Sequence, residues 1–436
     1  MQPAELARQI VTLLKASGHQ AYFVGGCVRD LLLGGEPKDY DVATDAQPAK
    51  ISALFPESDL VGAHFGVVLV HDSGAQVEVA TFRSDHTYAD GRHPVTVDFE
   101  TDPRQDVLRR DFTINALLLD PDSNEVLDFV GGRDDLRNRI VRAIGDPETR
   151  FREDHLRLLR AVRFAARLNY QIDPATMRAI QGLHAQILRV SAERTRDELS
   201  RILTEGGARR GFELLDETGM LADILPEVSA MKGVAQPPEF HPEGDVWTHT
   251  LLMLDQLREP SVTLALGVLL HDVGKPPTFR VADRIRFDGH VEKGVEMAEA
   301  ILARLRFSND QIRHVSALVA NHMRFKDVPQ MRESTLKRFL RLENFSEHLQ
   351  LHRLDCLSSH GSLDNYQLVK EKMEALPPAE LKPRPLITGD DLIAAGYNPG
   401  PAFSRILAAV EDAQLESKIS SREEAMALVR AQFPAE

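Results

Sequence analysis

The 436-residue chain has only two cysteines, Cys27 and Cys356, in distant segments. A disulfide framework is therefore excluded, and a reducing, cytoplasmic setting is expected. It has no run of about 18 apolar residues, so no membrane span is expected. The amino-terminal stretch carries Leu6, Ile10, Leu13 and Leu14 at helical spacing with Glu5 among them, which marks an amphipathic helix and not a secretory signal. Internal repeats and low-complexity tracts are absent. Positive charge is short overall, with a net charge of −14. That sum argues against a nucleic-acid partner, but its distribution matters more. From Arg150 to Arg210 there are 13 arginines and no lysine against 7 acidic residues, a locally basic stretch.

What is present is ordinary for a globular chain with a sizeable core: 43% apolar and 27% charged residues. The length suggests about three domains at roughly 150 residues each. Residues 1–145 mix helix with strands expected at Gln20–Val24, Asp39–Ala43, Val67–His71, Gln76–Phe82 and Ile114–Leu119. From Asp146 to about Gly233 the pattern is helical, with no convincing strand. Pro237-Pro238 ends that region, because proline cannot continue a helix. A second helical unit spans 240–375, and Leu381-Lys382-Pro383-Arg384-Pro385 leads to a small unit over 380–436.

Asp39-Tyr40-Asp41 follows Gly25-Gly26-Cys27-Val28-Arg29-Asp30 by a short interval. Two carboxylates one residue apart on a strand share a face and can hold hard divalent cations. Gly25 and Gly26 let the backbone approach a phosphate, and Arg29 offers a fork for it. Glu78, alternating with valines, is the candidate third carboxylate, since an acid there is costly unless paired or metal-bound. Arg109, Arg110, Asp111 and Asn115 suit triphosphate and ribose. Asp154 and Arg157, read as i and i+3 on one helix, match the Watson–Crick edges of cytosine and adenine. The carboxylate accepts from the amino group while the guanidinium donates to the ring nitrogen. A plain i,i+3 salt bridge is the alternative.

These clusters resemble the class II tRNA nucleotidyltransferases, the CCA-adding enzymes, and the related bacterial poly(A) polymerases. Gly25 to Gly34 with Asp39-Tyr40-Asp41 looks like the first motif. Arg109-Arg110-Asp111-Phe112-Thr113-Ile114-Asn115-Ala116 looks like the ribose-reading motif, and Glu153-Asp154-His155-Leu156-Arg157 with Arg160 and Arg163 looks like the base-reading helix. Glu193-Arg194-Thr195-Arg196-Asp197-Glu198-Leu199 is similar to the neck motif. The resemblance covers residues 5 to 230. It implies an α+β architecture: a small mixed-sheet, polymerase-β-like nucleotidyltransferase head followed by all-α neck, body and further helical domains. Asp39, Asp41 and Glu78 would bind Mg²⁺ for nucleotidyl transfer, and Arg194, Arg196 and Arg201 would grip tRNA. Within the family, Gly62-Ala63-His64-Phe65-Gly66-Val67-Val68 is similar to the tRNA enzymes. Asp85 to Pro94 resembles the loop that switches from C to A addition.

The second helical unit carries His249, His271-Asp272-Val273-Gly274-Lys275, His290, His322 and Asp355. The ordered series resembles an HD-domain phosphohydrolase, with six ligands for two transition metals (Mn²⁺, Ni²⁺ or Fe²⁺) bridged by Asp272. Lys275 would add a point charge for phosphate. The expected activity is therefore template-independent CCA addition to tRNA from CTP and ATP, joined to an HD phosphohydrolase. The alternatives are A-only addition, poly(A) synthesis, or a hydrolase whose head only binds RNA ends. The sequence leaves the oligomeric state open.

Overall fold

The computed structural model describes residues 1–61, 66–88 and 94–434, and divides the chain into two units. The first comprises Met1–Ser229 with Leu257–Glu259 and Arg304–Arg306; the second comprises Ala230–Gln256, Pro260–Ala303 and Phe307–Glu436. Residues 62–65, within the Gly62–Val68 motif, and 89–93, within the loop expected to switch base choice, lie outside the described residues.

The strands of the first unit are Ala21–Val24 (β1), Asp41–Thr44 (β2), Ser58–Asp59 (β3), Val67–Asp72 (β4), Ala75–Thr81 (β5), Arg83–Tyr88 (β6), Pro94–Phe99 (β7), Leu118–Leu119 (β8) and Val126–Leu127 (β9). Seven form one mixed sheet in the order β3-β4-β5-β2-β1-β8-β9, while β6 and β7 pair as a separate hairpin. In β5 the valines alternate inward and Gln76 and Glu78 outward, as the period of a half-buried strand requires. β5 runs parallel to β2, and the register sets Asp41 directly beside Glu78. The helix Pro3–Ala16 buries Leu6, Ala7, Ile10, Val11 and Leu14, the face that its spacing predicts. Val24, Ala43, Phe82, Val107, Ala116, Leu118 and Ile144 form a core cluster of this unit.

Four features differ from expectation. Asp39 lies on the approach to β2, not within it. The strand expected at Ile114–Leu119 is a 3₁₀ turn, Thr113–Asn115, followed by the two-residue β8. The turn is held by side chains: Thr113 Oγ1 donates to Asp135 at 2.7 Å, and Asn115 Oδ1 accepts from Arg29 at 2.7 Å. The helical region also contains a short parallel ladder, Ile140–Val141 with Gln171–Ile172. Finally, the chain breaks at Asp154, so Pro147–Glu153 and Arg157–Leu168 are separate helices.

The second unit is almost wholly helical. Its only ladder among the described residues is the hairpin Arg280–Val281 with Ile285–Arg286. The helix Val262–Leu270 starts on Ser261, whose hydroxyl accepts from the Leu264 amide, and buries Ala265 through Leu270. A side chain at Gly267 would meet Leu318 at 2.7 Å, so glycine lets this helix lie against Asn309–Asn321. Ile387, Leu392, Ile406, Val410, Ala425 and Val429 make a core of their own towards the carboxyl end. Among the described residues no helix is long and apolar enough to cross a membrane.

Candidate active sites

In the first unit, Gly25 caps the helix Gly26–Leu32 with φ of +80°, a left-handed conformation that favours glycine. A Cβ there would stand 3.4 Å from Asp41 Oδ2 and 3.8 Å from an Arg110 nitrogen. The turn, the carboxylate and the guanidinium are thus neighbours, as the motif order implies. Burial and the nearby Glu78 and Asp39 push the Asp41 carboxyl up to about 6, with Arg110 opposing them. A carboxylate that resists ionisation suits a bound cation, which relieves the repulsion. Asp39 and Glu78 are exposed, and the three carboxylates are not among the groups whose ligand atoms lie within 4.8 Å of one another.

Arg29 is not the free phosphate fork that its position suggested. Only 2% of its surface is exposed; it donates to Asn115 and Asp30 and lies over the Phe164 ring. It fixes Asn115. Arg109 and Arg110 both fork onto Asp106, one on each carboxylate oxygen, at 2.7 to 3.1 Å. Burial alone would favour a neutral Asp106, but the two arginines hold its carboxyl below the usual range. Asp111 accepts from Arg160 at 2.6 and 2.8 Å. Arg163 is buried against Glu198 at 2.6 Å, which makes it a tie between the helices Arg157–Leu168 and Ala192–Thr204.

The side chains of Asp154 and Arg157 are not bonded to each other; the Arg157 amide donates to the Asp154 carbonyl at 3.0 Å. Asp154, extended at the helix break, accepts from the Leu156 amide and from Arg194 at 2.9 Å. Arg157 donates to Glu153 and to the Arg109 carbonyl. The i,i+3 salt bridge is therefore not formed. Arg194 is committed to Asp154, while Arg196 pairs with Asp197. Arg201 remains exposed, as do Arg178 and Arg189.

In the second unit, five chain segments bring the expected histidines and aspartates together. His249 lies on Val246–Asp255, His271 and Asp272 follow Val262–Leu270, His290 opens His290–Arg304, His322 follows Asn309–Asn321, and Asp355 lies on Phe345–Ser358. A Cβ at Gly274 would fall 2.1 Å from the His290 carbonyl, so glycine at this position is what lets His290 approach His271 and Asp272. His249, His271 and Asp355 form one triad, and Asp272, His290 and His322 another; in each, the ligand atoms lie within 4.8 Å of one another. Asp272 reaches towards both, 3.1 Å from His271 Nε2 through one oxygen and 3.7 Å from His322 Nε2 through the other.

The ring nitrogens divide consistently. Nδ1 of His271, His290 and His322 faces a backbone carbonyl at 2.7 to 2.9 Å. Nε2 of His249, His271, His290 and His322 is buried without a hydrogen-bond partner. Four buried ring nitrogens without a hydrogen bond beside two carboxylates are costly in a polypeptide alone and fit divalent transition metals. Burial opposes protonation of His249, yet Asp355 and Glu243 outweigh it and raise its pKa to about 9; burial pushes His322 down to about 4. Lys275 is not free for phosphate: its ammonium donates to Asp272 and Gln236, both at 2.7 Å. A cavity of about 680 Å³, lined in part by Phe240, Phe287, His290, His322 and Asp355, opens at these triads.

Residues 21–142 match the family described as "Poly A polymerase head domain". Residues 169–232 match "Probable RNA and SrmB-binding site of polymerase A", and 290–429 match a tRNA nucleotidyltransferase domain 2. The chain is 31% identical to the CCA-adding enzyme of Leuconostoc mesenteroides over 425 residues, covering 96% of this chain and 94% of that one. The chain belongs to the family of CCA-adding enzymes and poly(A) polymerases. It is 45% identical to the Levilactobacillus brevis CCA-adding enzyme over 217 residues, which are 50% of this chain and only 54% of that relative's length. Its fold superposes on the crystal structure of the Bacillus stearothermophilus CCA-adding enzyme in complex with CTP, with a TM-score of 0.75, 27% identity and 99% of each chain covered.

Within this family frame, two residues stand out that the sequence reading missed. Asp106 precedes Arg109 and Arg110 by three and four positions, the spacing of helical ion pairs, and could have been found that way. Glu243 lies just before the Asp245-capped helix that carries His249, and its Oε1 is 2.7 Å from His249 Nδ1. No periodicity marks it.

Proposed function

We propose that this chain completes tRNA 3′ ends by adding C, C and A from CTP and ATP without a nucleic-acid template. One observation carries the reading: Asp154 and Arg157 stand at the same site, next to the Asp111–Arg160 pair, without neutralising each other. A carboxylate and a guanidinium held by other partners present one acceptor and one donor, which match cytosine and adenine and mismatch guanine and uracil. Arg109 and Arg110, held by Asp106, would meet the triphosphate, and Asp111 and Asn115 the ribose. Arg201 would contact tRNA phosphates. Mg²⁺ held by Asp39, Asp41 and Glu78 would lower the pKa of the attacking 3′-hydroxyl and neutralise the departing pyrophosphate. The relatives' names support this choice over A-only addition or poly(A) synthesis. In this reading residues 1–145 are the catalytic head, 146–235 the neck and body, 240–375 the HD domain and 380–436 a terminal unit.

The deciding experiment supplies tRNA lacking its whole 3′ terminus with CTP alone, ATP alone, or both. Two additions with CTP and three with both are expected. No extension in any of the three would support an enzyme that adds only the final A to an end already carrying CC, and continued extension by ATP alone would support a poly(A) polymerase.

A second activity is favoured by the four orphaned Nε2 atoms. In this reading the second unit is an HD phosphohydrolase, with Mn²⁺, Ni²⁺ or Fe²⁺ held by His249, His271, Asp355, Asp272, His290 and His322 and supplying Lewis acidity at a phosphoester. Hydrolysis of 2′,3′-cyclic nucleotides with Mn²⁺ or Ni²⁺ tests it, and His271→Ala should abolish it. Equal turnover by that variant would remove the assignment.

A further inference from the structure

We infer that Glu243 is a positioning residue that makes the His249–His271–Asp355 triad the tighter of the two metal sites; this rests on the HD reading. Among the four candidate histidine ligands, three have Nδ1 against a neutral backbone carbonyl, from Val268, Phe287 and Val319. His249 alone has Nδ1 against a carboxylate, Glu243, at 2.7 Å. Its ring is fully buried, and the Glu243 side chain is 8% exposed. An anionic acceptor fixes the Nδ1–H tautomer and leaves Nε2, 3.2 Å from Asp355, as the lone-pair donor aimed into the triad. It also makes that nitrogen a stronger donor than a carbonyl would, because positive charge drawn to the ring by a metal is stabilised by the carboxylate.

Glu243 is itself held in place. Its Oε1 also meets His241 Nδ1 at 2.9 Å, and the His241 ring packs edge-on against His249 with centroids 5.0 Å apart. Its Oε2 is buried with no hydrogen-bond partner. A buried carboxylate half-satisfied by two imidazoles is costly on its own, and a cation on the far side of His249 offsets that cost. The other triad has no such support. Loading is therefore sequential: the first ion occupies the His249 triad, and the second occupies Asp272, His290 and His322.

The test titrates the full-length, chelator-stripped chain with Zn²⁺ against a chromophoric chelator. Selective ¹⁵N-histidine NMR reads the His249 tautomer in parallel. Two ions of unequal affinity are expected. Glu243→Gln should weaken the tighter step about tenfold and Glu243→Ala towards 100-fold, with the weaker step unchanged and the Nδ1–H tautomer of His249 lost in the alanine variant. Wild-type thermal unfolding and unchanged nucleotide addition would show that both variants are folded. His290→Ala should remove only the weaker step. Two ions bound by every Glu243 variant with wild-type affinities would overturn the role of Glu243 and leave the metal reading intact. No ion bound by the wild type would overturn the metal reading itself.

Discussion

The two units treat buried charge in opposite ways. In the first, nearly every candidate side chain already has a partner: Asp106 holds Arg109 and Arg110, Asp111 holds Arg160, Glu198 holds Arg163, and Arg194 holds Asp154. In the second, four imidazole nitrogens are buried without a hydrogen bond. A site whose groups are satisfied without ligand is preorganised for a substrate that comes and goes. A site with orphaned donors is complete only when something resident occupies it. On the proposed reading, the contrast would separate a transient nucleotide site in the first unit from a resident metal in the second.

The comparison can be broken at either end. The largest effect is expected at Asp41: Asp41→Asn should lower nucleotide addition on the order of 1,000-fold while leaving tRNA affinity within about threefold. A single-turnover assay beside a filter-binding titration measures both, and retained turnover would contradict the metal assignment. Next, removal of the transition metal, with Mg²⁺ held constant, should act on the second unit alone. With metal at about 100 times its Kd, chelation should cost roughly 2.7 kcal/mol of stability, read as a lowered melting transition for that unit only. A uniform loss across both units would erase the distinction.

A smaller effect concerns pH. The Asp41 carboxyl is raised from 3.8 to about 6. The folded state thus prefers the protonated acid, and stability present below 3.8 is lost as pH rises through about 6. Without divalent ions the first unit should lose on the order of 2 kcal/mol between pH 4 and pH 7 from this group. Asp41→Asn should flatten that slope in pH-dependent urea melts, and Mg²⁺ should flatten it in the wild type; an unchanged slope in the variant would assign it to another group. The smallest change is expected at Arg201, where alanine should weaken tRNA binding a few-fold and reduce its salt slope by about one. No change in slope would mean that this arginine meets no phosphate.

What could be read in advance followed from periodicity. β5 was legible because valines alternate with Gln76 and Glu78, and the helix Val262–Leu270 because its apolar run ends at His271-Asp272. The Asp41–Glu78 register, by contrast, depends on a parallel crossover between β2 and β5, and short-range pattern does not encode such a pairing. β6 went unread because Arg83-Ser84-Asp85-His86 shows no apolar alternation, whereas β7 does alternate Val95, Val97 and Phe99 with polar residues and was overlooked. Among site residues, the candidates were identifiable by type and spacing, but their partners were not. Arg29 looked like a phosphate ligand and Arg163 like part of a base-reading helix because an arginine's charge is visible in sequence, whereas Asn115 and Glu198, which hold them, are 86 and 35 residues away. Glu243 was missed for the converse reason: its role is set by which nitrogen of His249 it faces, a fact only the fold supplies.

The central claim is that side chains, not a nucleic-acid strand, choose the base. It is tested most directly by the kcat/KM ratio of CTP to GTP for the wild type and for Asp154→Ala on tRNA lacking its CCA end. Loss of the charged acceptor for the base amino group should reduce that ratio by about 10- to 100-fold, with wild-type tRNA affinity. A ratio unchanged from wild type would show that Asp154 does not read the base and would contradict the account.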